Sequence, residues 1–283
     1  MDAEPKASRA VPGNDNWTPP EEKRETGGLK ADFVMAVRFY SLLPMGLAAH
    51  EKPDINRIAR AVPFASLAIG ALPALVLLAG WFLHLPALFT ALLCAGTTAA
   101  VTGAMAEDAI GDSMDGLGGR TPERRLEILK DSRIGAYGVI GITLFIGLKA
   151  AALTELLEVK AAGAVLLFLA AQVVSRSAAL WLLHVLPAAR KDGASATVGA
   201  LTRLPMLVGF AFAGLIGLLL AAPFVGLLGV GLAYVLALLT ALGWAALWRQ
   251  LIGGQTGDLI GGLQAVLEIV VLTAFILVTG GPR

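Results

Sequence analysis

"LPMLVGFAFAGLIGLLLAAPFVGLLGVGLAYVLALLTALGWAAL" (204–247) runs for 44 residues without a charged side chain. About 20 apolar residues in helical form cross the hydrocarbon of a bilayer. The stretch therefore reads as two membrane helices, 204–222 and 223–247, divided at a proline-containing turn. Further apolar runs occupy 59–83, which contains Pro63 and Pro73, then 86–106, 135–153, 161–186 and 263–278. "HLP" (84–86) and "TELLEVK" (154–160) separate neighbouring runs. The expected fold is all-α: a polytopic integral membrane helical bundle of about seven transmembrane helices. Residues 31–47 are too short to span and contain Arg38, which suits an interfacial or re-entrant segment.

Composition agrees. The 283 residues are 57% hydrophobic and 15% charged, with mean hydropathy +0.75. A soluble domain carries about 25% charged residues, so this chain cannot cover a water-facing surface and its partner is the lipid bilayer. The net charge of +1 suggests no nucleic-acid partner. The single cysteine, Cys94, lies in an apolar run and reads as a packing residue. Residues 1–30 are polar, rich in Pro, Gly and charge, and lack the apolar core of a signal peptide. They are expected to form a disordered arm, leaving 31–283 as one transmembrane catalytic domain.

Lys and Arg cluster before Ala61, in 120–133, in 190–203 and at Arg249. With seven spans all four regions fall on one side, which the positive-inside rule makes the cytoplasm.

On that side lies "EDAIGDSMDGLGG" (107–119). Asp108, Asp112 and Asp115 are spaced i, i+4, i+7, so a helix places them on one face. Three carboxylates on one stripe repel unless a cation sits among them, and oxygen-only ligands suit Mg²⁺, Mn²⁺ or Ca²⁺. A solvated acidic turn is the plainer alternative, but acidic residues contribute little to topology and do not call for this spacing. The following "ERRLEILKDSRIGAYG" (123–138) adds Asp131, a carboxylate, and Arg133, a donor suited to phosphate. A divalent cation bridging carboxylates to a phosphate or diphosphate is the chemistry this set suits. Three histidines without paired spacing argue against zinc. Arg176, inside the 161–186 run, must face the bundle interior or a wet cavity. "GGQTGD" (253–258) offers a glycine turn with Gln255 and Asp258. Lys149 is expected to pair with Glu155 as a structural contact. A transporter is the competing class, suited by Arg176 and the proline-broken first run, but its site would lie near mid-bilayer rather than at the edge.

Two families have motifs of this kind. The CDP-alcohol phosphotransferases share the start of "DGLGGR" (115–120), but Leu129 stands where their next glycine falls and their paired downstream aspartates are missing. The runs "EDAIGDSMDGLGG" and "ERRLEILKDSRIGAYG" instead resemble the cobalamin synthase family of adenosylcobinamide-GDP ribazoletransferases. "SR" (175–176) and "GGQTGD" sit where that family has such motifs, and the resemblance covers about 29–283. Ala106 stands where a histidine is frequent, and Ala109 and Gly111 replace the usual glycine and alanine. The resemblance implies an enzyme that joins α-ribazole, or its 5′-phosphate, to adenosylcobinamide-GDP with release of GMP and a requirement for Mg²⁺. It implies Asp108, Asp112 and Asp115 as metal ligands, with Asp131 as a further ligand or base. Arg133 and Arg176 would hold phosphate oxygens, Gln255 and Asp258 would line the site, and Glu107 would support the ligands. A homo-oligomer is compatible with this reading.

Overall fold

A computed structural model describes residues 28–46, 52–190 and 200–280. Most of the N-terminal arm and of the 187–203 loop lies outside the described residues. The described chain forms ten helices: α1 (Leu29–Tyr40), α2 (Ile55–Phe82), α3 (Ala87–Thr102), α4 (Met105–Leu117), α5 (Pro122–Ile128), α6 (Ala136–Lys160), α7 (Gly163–Ala179), α8 (Leu182–Val185), α9 (Arg203–Ile252) and α10 (Gly257–Thr279). Among the described residues the only β pairing is an isolated bridge between Ala188 and Gln255.

Five helices are long and apolar enough to cross a membrane, and six if α3 with α4 counts as one bent span. One of these, α9, has 50 residues, or about 75 Å at 1.5 Å per residue, far more than the roughly 30 Å of hydrocarbon. It is in fact a hairpin. Gly226, at φ 65° and ψ 177°, breaks it with a backbone conformation open essentially to glycine alone. The Tyr234 hydroxyl then donates to the Gly214 carbonyl at 2.6 Å, a contact a straight helix could not make. Counting its two arms separately gives six such helices, or seven where α3 with α4 is one bent span, against the seven expected from the apolar runs. The hairpin's buried face repeats small residues every four positions, with Gly209, Ala213, Gly217 and Ala221 on one arm and Ala233, Ala237, Ala241 and Ala245 on the other. Small side chains allow close helix approach where no water drives association.

At the centre stands α7, with 14 of its 17 residues buried. It packs against α2, α9 and α10. The segment expected to be interfacial is α1, clamped to the start of α2 by Asp32. This buried carboxylate accepts from Arg57 Nε at 2.7 Å and Arg60 Nε at 2.6 Å.

Several boundaries differ from expectation. The 86–106 run stops at Thr102, where Gly103 and Ala104 both adopt left-handed backbone and turn the chain by 90° into α4. "TELLEVK" does not interrupt a helix but completes α6. Lys149 does not pair with Glu155. Six residues along a helix turn the two side chains about 120° apart, and Lys149 instead meets Glu268 of α10 at 2.8 Å, both fully buried. Gln172 donates to the same Glu268 oxygen at 2.7 Å, and Arg176 donates to Gln172 at 3.0 Å.

This buried pair yields a prediction. Lys149→Met or Glu268→Leu alone strands one charge in an apolar interior and should cost about 3–5 kcal/mol. The double variant should recover most of the loss. Thermal melts of the four proteins in detergent check this; additive losses in the double variant would refute it.

Candidate active site

Helix α4 carries the acidic stripe and lies across the start of α10. The crossing is close because Gly261 and Gly262 face Ala109 and Ser113, and any Cβ there would collide with those side chains. The Ser113 hydroxyl donates to the Asp258 carbonyl at 3.2 Å, which locks the crossing. The contact brings Asp258, in the first turn of α10, to the aspartate face of α4. Thr256 caps α10 by accepting from Leu259 N. Arg190 bonds Asp258 Oδ2 at 3.1 Å.

The charges crowd together. Burial pushes the Asp112 carboxyl up to about 7, assisted by repulsion from Asp108, Asp258 and Asp115 and opposed by Arg190. Asp108 itself is exposed. Among the described residues, no three His, Cys, Asp or Glu side chains are drawn tightly enough together to hold a metal ion. A half-open cavity of about 270 Å³ adjoins the carboxylates, with Asp108 and Asp258 in its wall.

Asp115 has another task. Its Oδ2 accepts from Gly135 N at 2.7 Å and its Oδ1 from Gly138 N at 2.8 Å, so it caps the start of α6 from 20 residues away. Gly138 must be glycine there, because a Cβ would strike the carboxylate. The Arg125 guanidinium closes the other end of α4, donating to the Gly116, Leu117 and Gly119 carbonyls.

Asp131 and Arg133 form an exposed bidentate pair, with Arg133 Nη2 at 2.7 Å from Oδ2. Arg133 holds the Asp131 carboxyl down at about 2. Arg176 is buried as expected, but not in the open cavity. Its guanidinium lies 5.6 Å from the Tyr40 ring. Its Nε and Nη1, and Glu107 Oε2, are buried without hydrogen-bond partners. All face an enclosed cavity of about 10 Å³ shared with Lys149, Gln172 and Glu268, room for about one water molecule. Gln255 is buried too, and its backbone pairs with the 187–189 segment: Gln255 N donates to Pro187 O at 2.9 Å and Ala189 N to Gln255 O at 2.8 Å. The structure thus sets Asp108, Asp112, Asp115 and Asp258 within electrostatic reach of one another, gives Asp115 a capping task as well, and sets Arg176, Glu107 and Gln255 behind the surface. Arg190 and Tyr40 join the site without any motif to announce them. Arg190 sits in a polar loop and counts in the sequence only as a basic residue.

Comparison with known proteins agrees with the motifs. The family model for cobalamin-5-phosphate synthase matches residues 32–276. An adenosylcobinamide-GDP ribazoletransferase of Azorhizobium caulinodans is 39% identical over 252 residues, covering 87% of this chain and 96% of the relative. One of Brucella anthropi is 37% identical, covering 89% and 99%, and one of Sinorhizobium sp. is 40% identical, covering 87% and 96%. No solved structure matches the chain.

The two aspartates should behave differently without metal. Asp112 binds its proton more tightly folded than unfolded. Its contribution to stability is therefore full below the ordinary carboxylate range and lost as pH rises through about 7. With chelator present, Asp112→Asn should flatten this fall between about pH 4 and 7 and raise the melting temperature at pH 8 by about 2 °C or more. Asp115→Asn should instead lose about 1 kcal/mol at neutral pH through the damaged cap. Parallel melting curves for parent and Asp112→Asn across that range would contradict the crowding of charge.

Proposed function

The chain belongs to the cobalamin-5-phosphate synthase family, and on that premise we propose that it is a membrane adenosylcobinamide-GDP ribazoletransferase. In this reading a ribose hydroxyl of α-ribazole, or of its 5′-phosphate, attacks the phosphorus attached to cobinamide. A new P–O bond forms, the bond to GMP breaks, and the hydroxyl proton passes to a base. The observation that carries the reading is the convergence of Asp108, Asp112 and Asp258 beside a cavity, in a chain of this family.

The donor chemistry suits Mg²⁺, and the side chains must draw closer than they stand to hold it. These groups offer carboxylate oxygens alone, and the mutual repulsion that adds to burial in raising Asp112 is what a divalent cation relieves. Asp258 adds a fourth carboxylate to the stripe, and Asp115, with one amide on each oxygen, keeps lone pairs for the ion. When bound, the ion would neutralise charge on the diphosphate as GMP leaves. Arg190, tethered to Asp258, supplies a cation to the same face and can hold a phosphate oxygen. Asp131, paired with Arg133 and held at about 2, is a poor proton acceptor. Arg133 sits two residues before Gly135, whose amide Asp115 binds, so it stands at the α4 end of the site and can turn to phosphate only by leaving Asp131. Arg176 acts in this reading from behind, by fixing Tyr40 and Gln172.

The turnover test is direct. Purified protein given adenosylcobinamide-GDP, α-ribazole and Mg²⁺ should release GMP. Asp112→Asn should lower turnover by about 10²-fold, the scale of losing one electrostatic contact in a transition state. No GMP from the parent, or release that does not depend on α-ribazole, would overturn the reading.

The site's side of the membrane follows from the Lys/Arg bias. The structure gathers the relevant segments at one end: Asn56 bonds Thr202, Gln255 bonds Ala189 and Arg190 bonds Asp258. Ser132 is exposed three residues before Gly135, whose amide binds Asp115 of the acidic stripe. In a Cys94→Ala background, Ser132→Cys should react with an impermeant maleimide in inverted vesicles and stay unlabelled in right-side-out ones. The reverse pattern would place the site outside the cytoplasm.

A further inference from the structure

The 270 Å³ cavity beside Asp108 and Asp258 has a lining that distinguishes between the two substrates. We propose that it seats the nucleoside acceptor, base inward and ribose at the carboxylates. This deepens the transferase reading and rests on it.

Size is the first argument. The cavity lies just below the roughly 300–1,000 Å³ of pockets that enclose drug-sized ligands. A nucleoside is of that scale. A corrin macrocycle carrying a nucleotide is several times larger and must lie outside, against the open face.

Chemistry is the second. The interior is formed by Phe39, Tyr40, Ile55, Leu180, Leu183 and Ile260. Flat aromatic and branched aliphatic walls suit an uncharged ring system, and Gln264 adds one side-chain amide to meet a ring nitrogen. Among the described residues, Asp108 and Asp258 are the only charged ones in the wall, and neither can take a phosphate or diphosphate without a cation. The available guanidinium, Arg190, is tethered to the Asp258 carboxylate.

Placement is the third. A base at the apolar end points the ribose towards Asp108 and Asp258, where the activated phosphate is to be held. Tyr40 forms part of the wall between this cavity and the enclosed polar one. Arg176 stands behind its ring, which fixes the surface that would face the base. Leu180 and Leu183 follow the end of α7 and Ile260 opens α10, so the pocket joins the central helix to the helix that carries Asp258.

The test uses the full chain in detergent and α-ribazole as probe. Leu183→Phe and Ile260→Phe each fill the cavity from a different wall and leave the carboxylates in place. By calorimetric titration with chelator present, each folded variant should bind α-ribazole about tenfold or more weakly than the parent. In turnover the KM for α-ribazole should rise while that for adenosylcobinamide-GDP holds. A base-azido α-ribazole should photolabel the parent within 180–183 or at Ile260, which covers the case in which a variant does not fold. Unchanged α-ribazole affinity in both variants, a rise confined to the KM for adenosylcobinamide-GDP, or photolabelling elsewhere would overturn the assignment. Failure of the reaction is read separately: a parent that binds α-ribazole in this cavity but releases no GMP keeps the pocket and loses the transferase reading. A parent that releases GMP with both variants unaffected does the reverse.

Discussion

The Lys149–Glu268 ion pair is the contact around which the bundle is organised. A charge surrounded by hydrocarbon is tolerated only when an opposite charge and further hydrogen bonds meet it. Here the ammonium of α6 meets the carboxylate of α10 at 2.8 Å, and Gln172 of α7 donates to the same oxygen. Arg176 continues the chain from Gln172 and lies against the Tyr40 ring of α1. Four helices are thereby fixed relative to one another by interactions that have direction, which apolar packing lacks. The register of α6 against α10 then sets the place of α4, since Ile110, Phe145 and Ala265 form one small core among these three helices.

The site is a consequence of that placement. The chain leaves α3 through two left-handed residues, turns by 90°, and lays α4 across the first turns of α10. Glycine on one helix and small side chains on the other let the backbones come close enough for carboxylates on separate helices to feel one another. The cost appears in Asp112, whose carboxyl is pushed up to about 7 by burial first and by the neighbouring carboxylates second. Folding alone does not relieve this repulsion. The protein holds charges together that a cation and a phosphate would balance, and such unrelieved charge is a mark of functional sites.

Around this point the structural roles are divided closely. Asp115, three residues beyond Asp112, repels it and also caps α6, and Arg125 closes the carbonyl end of α4. Glu107, next to Asp108, faces the inner polar cavity instead of the open one. A one-residue step along a helix turns a side chain by about 100°. Neighbouring acids of one motif thus serve different surroundings.

The sequence by itself determined the class of structure and the location of the chemistry. Apolar runs of about 20 residues have one backbone solution in lipid, the helix, because no water is present to satisfy free amides and carbonyls. That rule also recovers both arms of the 203–252 hairpin, whose division needed only Pro223 and a turn-forming glycine. The aspartate spacing was equally legible, since i, i+4 is a local relation and α4 is a helix over 105–117. What the tertiary structure alone decided is who meets whom. Asp258 joins Asp112 across more than 140 residues, Glu268 takes Lys149 in place of nearby Glu155, Asp115 finds the amides of α6, and Arg190 finds Asp258. Each choice depends on which helix faces which and at what height. That is set by packing of small residues and by the need to pair buried charge, and neither has a period that can be read along the chain.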